Sequence, residues 1–420
     1  MTHSHTHPIG ETGPPRRALA IVLTVVVALI AAGVILGMVA LWPDADKVPK
    51  DKNPYGADGV STVSAKVLSV KPFDCGSGGA GPDGLPSVAG NCAKVDASTK
   101  AGNATFTLDA PRFKAGINKG DDIKLIRIQP SGQEAAYEFL DFRRGLPLTA
   151  LAIVFAVAVV AVARWRGLFA MVGIGVTLLA LTQFMLPAFL SGENPLLVAV
   201  VGSAGIMLVV LYLAHGISIR TTSALFGTLV GLALTAVLGA LATDWTSLTG
   251  VGSEDDSTLV AVAPNIHMAG VVAATMVVAG LGILNDVTVT QASAVWELRA
   301  LQPAARGREI FSSAMRIGRD HIASSVYTLV FAYAGSAMTI LLLISAYQRS
   351  LAEMATTEQI GEEIVRTLVG AIGLVLAVPI TTVFAVIMAP RGVTPEGELP
   401  EDLGTDPGSH QAPIQPSIAP

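Results

Sequence analysis

STLVAVAPNIHMAGVVAATMVVAGLGILNDVTVTQASAVW, residues 257–296, runs for forty residues with one charged side chain, Asp286. About 20 apolar residues in a helix cover the ~30 Å of a bilayer's hydrocarbon, so this stretch reads as a membrane span with a carboxylate in or beside it. The rest of the chain agrees with that reading. Its 420 residues are 51% hydrophobic and 14% charged, where soluble domains carry roughly 25% charge. The mean hydropathy is +0.59. These values describe an integral membrane protein and set soluble enzymes aside. The formal net charge of -5, with no basic patch to meet phosphates, sets nucleic acid aside as a partner.

Working outward, eight apolar spans emerge: Leu19 to Trp42, Leu146 to Ala163, Gly167 to Leu190, Pro195 to Leu213, Thr221 to Leu241, Ile266 to Leu284, Ile322 to Ile344 and Leu368 to Met388. None contains Asp, Glu, Lys or Arg. The first is longer than the ~7–15 apolar residues of a cleavable leader, so it is read as a retained anchor. Arginines in the short connections set the orientation. With the N-terminus inside, Arg16, Arg17, Arg164, Arg166, Arg220, Arg299, Arg306, Arg308, Arg316, Arg319 and Arg391 are cytoplasmic, and only Arg349 and Arg366 fall in short outer connections. The outer side receives the acidic runs Glu254-Asp255-Asp256 and Glu362-Glu363. The expected layout is a disordered cytoplasmic N-terminus (1–18), an anchor helix (19–42), an extracytoplasmic β-domain (43–145), a seven-helix bundle (146–389) and a disordered cytoplasmic tail (390–420).

The β-domain is inferred from a change of texture. Every lysine lies between Lys47 and Lys124, and alternating polar and apolar residues between Gly, Asn and Asp turns indicate half-buried strands. These are expected at Val60 to Val70, Cys92 to Ser98, Ala104 to Leu108, Asp122 to Gln129 and Ala136 to Phe142. Five short strands suit a small closed or partly open barrel, OB-like, because closure removes adhesive edges. Cys75 and Cys92 flank a Gly- and Pro-rich loop in the compartment where oxidation is possible, which predicts a disulfide. No histidine lies in this domain to favour a metal instead.

His3, His5 and His7 have a spacing that can hold an ion in an extended chain, but such short tracts are ordinarily unstructured, and no metal or cofactor is expected. Gly33 with Gly37 and Gly227 with Gly231 stand four apart, which lets helix backbones approach closely within one bundle. Asp286 is the candidate functional group, with Asn285 beside it. Counting its helix from Ile266 puts it at the cytoplasmic mouth; a helix shifted inward puts it within the bilayer. The following helix opens on the same side with Arg319-Asp320-His321, then carries Ser324 and Ser325. A cation beside Asp286 would hold it ionised and its withdrawal would favour proton uptake, the chemistry of a relay; a static ion pair between two helices uses the same residues. His267 and His215 are further polar candidates.

The runs Ala214 to Ala224, Asp244 to Gly250 and Gly282 to Ser293 resemble the YibE/F family of bacterial membrane proteins, with similarity from about Val60 to Met388. The resemblance implies a membrane protein and brings no activity with it. Asn285-Asp286-Val287-Thr288-Val289, followed by a basic amphipathic stretch and Arg319-Asp320-His321-Ile322-Ala323-Ser324-Ser325, is also similar to the helix-loop-helix of SecD/SecF-type permeases of the RND superfamily. That likeness implies proton movement through Asp286 and Arg319. This chain departs from it in having two additional spans and no evident second half.

Two functions follow as expectations. One is a proton-coupled permease or translocation accessory; the other is a non-transporting envelope scaffold that binds a protein partner through the β-domain. A water-accessible cavity between the sixth and seventh spans favours the first and a dry contact favours the second. The substrate is not specified by the sequence. No nucleophile-base set, nucleotide loop or zinc spacing occurs, so no enzyme is expected.

Overall fold

The computed structural model describes residues 17–49, 59–75, 90–130, 132, 134–346 and 350–390. The N-terminal histidines, most of the loop between the cysteines and the C-terminal tail lie outside them.

Apolar composition makes the first helix, α1 (Arg17–Ala40). Five strands follow: β1 (Val60–Asp74), β2 (Asn91–Thr99), β3 (Gly102–Leu108), β4 (Asp122–Ile128) and β5 (Ala136–Phe142). A short helix, α2 (Ala110–Lys114), sits between β3 and β4, with the Asp109 carboxylate accepting from the Arg112 amide at its start. The long β1 pairs antiparallel with both β2 and β4, giving the order β3-β2-β1-β4-β5. Alternation does the rest: Val67, Val95, Ala97, Phe106, Ile123 and Leu125 point into one core. Of the closed or partly open barrel expected, closure is not formed: the sheet is open. Its edges β3 and β5 run side by side, with the Phe106 and Phe139 rings stacked at 6.3 Å, but no hydrogen-bonded ladder joins them.

The remaining helices are α3 (Gly145–Ala180), which passes through a π-turn at Leu181–Met185 into α4 (Leu186–Leu190), then α5 (Pro195–His215), α6 (Ile219–Trp245), α7 (Glu254–Val262), α8 (Met268–Leu301), α9 (Gly307–Ser336), α10 (Met338–Ala346), α11 (Leu351–Ala355) and α12 (Glu358–Met388). Six helical stretches among the described residues are long and apolar enough to cross a membrane, against the eight expected. The second and third expected spans merge into the 46-residue stretch Gly145–Leu190. A sharp kink divides it at Arg164, which has φ 55° and ψ -131°. A Cβ on Gly167 would meet the Val159 carbonyl oxygen, an atom about 12 Å distant in a straight helix, so the chain folds back here. The expected seventh span is split at Ala337, between α9 and α10, and is not among the six.

The bundle's centre is α6, α8 and α12, with α6 antiparallel to the other two. Glycine and threonine set their spacing. A Cβ on Gly227 would overlap the Thr381 hydroxyl of α12, and one on Gly231 would press on Leu284 of α8 and Ala377 of α12. Gly37 faces Val201 of α5, whereas nothing lies within 4 Å of the Cβ position of Gly33.

Candidate functional site

The central helices share a buried polar seam with no charge in it. Thr228 of α6 and Thr288 of α8 have their hydroxyls 2.6 Å apart. The Gln291 amide donates to the Ala314 carbonyl of α9 at 3.0 Å and to the Thr382 hydroxyl of α12 at 2.7 Å. Gly318 of α9 leaves room for the Gln291 side chain, since a Cβ there would stand 2.9 Å from Oε1. Beside it Val287, Leu329, Leu374 and Val378 form an apolar cluster with Met315 and Ile322. The contact between α8 and α9 is therefore packed and dry. Buried hydroxyls and amides that all find partners hold helices at a fixed register.

Asp286 faces away from this seam. It is exposed on α8, and no hydrogen bond or ion pair among the described residues joins its carboxylate to Arg319. Arg319, Asp320, His321 and Ser324 are exposed on α9, and Ser325 is half-buried. Asn285 is half-buried, and its Oδ1 is buried with no partner among the described residues. The structure thus brings Asn285 and Asp286 together on one turn and does not join them to the Arg319 group. His267 is the exposed N-cap residue of α8. It lines a depression of about 500 Å³ together with Asp244 and Asn194. His215 ends α5 and borders a space of about 10 Å³ with Arg220, Thr221 and Ser293, room for a single water.

A charged group that the sequence reading left as an acidic run and an exceptional arginine proves to be one cluster. Arg366 of α12 binds Glu363 at 2.7 Å and also Glu362, one helical turn before it. Its Nε donates to the Thr275 hydroxyl of α8 at 3.3 Å. The Glu363 Oε2 is buried with no partner among the described residues. Beside the cluster, Tyr333 and Ala334 of α9, Ala337 at the break after it, Leu341 of α10, Met354 of α11 and Ile360 of α12 line a cavity of about 410 Å³. The spacing Glu-Glu-x-x-Arg was the available signal: residues three and four apart on a helix are neighbours. At the start of the same helix the Glu358 carboxylate accepts from the Thr249 amide and hydroxyl, both at 2.6 Å, and from the Gly250 amide at 2.7 Å.

Thr275 ties the depth of this cluster to that of Asp286. The two residues are eleven apart on the continuous α8, about 16 Å along the axis, and tilt of the helix only shortens the projection onto the membrane normal. Hydrocarbon is ~30 Å thick. If α8 crosses a bilayer, the two groups are too close to occupy opposite interfaces, and an ionisable side chain within the apolar layer is expensive and is kept for a purpose.

The disulfide is formed. Cys75 and Cys92 are joined, with Cα atoms 5.5 Å apart and a sequence separation of 17, at the end of the ladder where β1 meets β2.

A model of the family described as YibE/F-like protein matches residues 151–391. The match takes in the polar seam, Asp286 and the Arg366 cluster; it starts after the sheet, later in the chain than the Val60 of the sequence reading. No curated protein and no solved structure matches the chain.

Proposed function

We propose that this chain, which belongs to the YibE/F-like protein family, is a proton-coupled permease or translocation accessory of the bacterial cytoplasmic membrane and not an enzyme. In this reading both termini are cytoplasmic, the β-sheet domain lies outside, the lipid bilayer is the surrounding partner and Asp286 exchanges the proton. The observation that supports it is a spacing: Arg366 is tied to Thr275, about 16 Å from Asp286 along one helix, less than the ~30 Å of hydrocarbon that this reading has α8 cross. A carboxylate within that layer is stable ionised only while water or a cation reaches it, and it takes up a proton when they leave. Glu362 and Glu363 add carboxylates at the outer level of the same bundle.

The dry contact between α8 and α9 favours a second reading, in which the protein is a scaffold and a helix of an envelope partner covers the exposed Asp286. Proton flux into proteoliposomes containing the purified protein separates the two. We expect an imposed pH gradient to be dissipated by the wild type and not by Asp286→Asn, with equal folded yield. Wild-type flux in that variant ends the relay, and absence of flux in the wild type leaves the scaffold.

A further inference from the structure

The cavity beside Arg366 is apolar except where Tyr333, Glu363 and Thr367 line it. Glu362 and Glu363 share one guanidinium, so the ionised group carries one net negative charge. Glu363 spends Oε1 on Arg366, while Oε2 is buried and accepts from nothing among the described residues. A buried carboxylate oxygen without a donor is costly, and a ligand that supplies one is held tightly. Tyr333 adds an aromatic ring, whose face attracts cations.

We infer that this cavity binds a small monocationic amphiphile: a protonated amine held by the carboxylate of Glu363, on an apolar body lying along Ala334, Ala337, Leu341 and Ile360. Its volume of about 410 Å³ falls within the ~300–1,000 Å³ of small-molecule sites. A free amine fits better than an amine-bearing phospholipid, because the lipid's phosphate would bring a second negative charge towards the two carboxylates and its two chains exceed the space. The inference rests on the permease reading for its meaning: the amine is the substrate class that the bundle would move against protons. It fits the architecture, since the cavity and Asp286 lie at different depths of one bundle.

The test is equilibrium binding of radiolabelled N,N-dimethyldecylamine, decan-1-ol and decanoate to the full-length protein in zwitterionic nanodiscs at neutral pH, with empty discs subtracted. Saturable amine binding near one per chain is expected, weakened about tenfold or more by Glu363→Gln, the loss of one charge-assisted hydrogen bond. Decanol should bind more weakly and be indifferent to that substitution, and decanoate should not bind. Ala334→Leu, which fills the cavity and leaves the carboxylates, should abolish amine binding and decides the matter alone should Glu363→Gln not fold. Amine uptake equal to that of empty discs, or unchanged in both variants, overturns the proposal; equal binding of all three probes makes the cavity a groove for acyl chains and overturns it too. Amine binding without proton flux in the wild type would remove the permease reading and leave the site standing, so the two failures are distinguishable.

Discussion

Replacing Gly373 by alanine probes a close approach at the centre of the bundle. A Cβ at Gly373 of α12 would overlap the hydroxyl of Thr235 on α6, and the Thr235 Cβ lies 3.5 Å from the same point. The threonine cannot yield cheaply. Its hydroxyl donates to the Gly231 carbonyl at 2.9 Å and its methyl lies 3.6 Å from the Cβ position of Gly280 on α8, so rotation loses a bond or moves the methyl into the collision. Forcing a methyl into a packed site costs about 1–3 kcal/mol. Alanine's better helix propensity offsets about 1 kcal/mol of that, leaving a net loss of up to about 2 kcal/mol. Thr235→Ala removes the obstructing oxygen, and by itself should cost about 1 kcal/mol for the lost hydrogen bond. In that background Gly373→Ala should be neutral or stabilising, giving a coupling of about 1–3 kcal/mol between the two sites. Unfolding of the wild type, both single variants and the double variant in mixed micelles measures it, with Gly33→Ala as a control that meets nothing. An equal cost of Gly373→Ala in both backgrounds would refute the packing of α6 on α12.

Three further outcomes are expected. Cys92→Ser should destabilise the sheet domain by roughly 3 kcal/mol in the chain-entropy description, seen as faster proteolysis after Asp74; mass spectrometry of unreduced, alkylated protein should show the linked pair, and two alkylated thiols would contradict it. Asp96 is held below the usual carboxylate range by hydrogen bonds from Ser69 and Thr105, and Asp141 by the Arg144 guanidinium and the Phe142 amide. Because the folded form binds protons less readily than the unfolded one, their stabilisation is full above the unfolded value of about 3.9 and fades as the pH falls through the lower folded values; Asp96→Asn should flatten the acid limb of the domain's unfolding curve, and an unchanged limb counts against it. Glu358→Gln should weaken a carboxylate that collects three donors, and since charge-assisted hydrogen bonds contribute about 1.5–3 kcal/mol, hydrogen exchange at Thr249 and Gly250 should quicken about tenfold or more, while unaltered protection would show the loop to be held otherwise.

The strands were legible because their signal is local. Alternation located β5 from Ala136 to Phe142 and β4 from Asp122 to within one residue of its end. It ran short on β1, which continues to Asp74, where the run from Lys71 to Asp74 has no buried face to alternate with. Closure was not legible, because whether β3 and β5 exchange hydrogen bonds depends on how far the sheet curls, and no residue pattern states that. Apolar runs likewise marked where helices lie but not where they join, so the fold-back at Arg164 was hidden in two spans and the interruption at Ala337 in one. The isolation of Asp286 within residues 257–296 drew attention to it, although α8 runs on to carry Glu297 and Arg299 near its end. Its direction was not readable, because the residues that face α6 and α12, Thr288 and Gln291, are polar too.

That arrangement bears on how the bundle can work. The inner contacts among α6, α8 and α12 are glycines fitted against threonines, with Gln291 bridging three helices, and packing of that kind transmits strain without opening. The ionisable groups all lie around it, Asp286 on the outer face of α8 and the Arg366 cluster beside the cavity. α9 is the element between them that is least held: across Gly307–Ser336 it fully buries Ile310, Ala314, Gly318 and Leu329 alone. Few buried contacts mean a low free energy for local displacement. α9 also carries Tyr333 at the cavity and, four turns earlier, Arg319 near the depth of Gln291. A shift of α9 against α8 and α12 would therefore open the cavity and alter the surroundings of the carboxylates in one motion, with the three-helix centre unmoved.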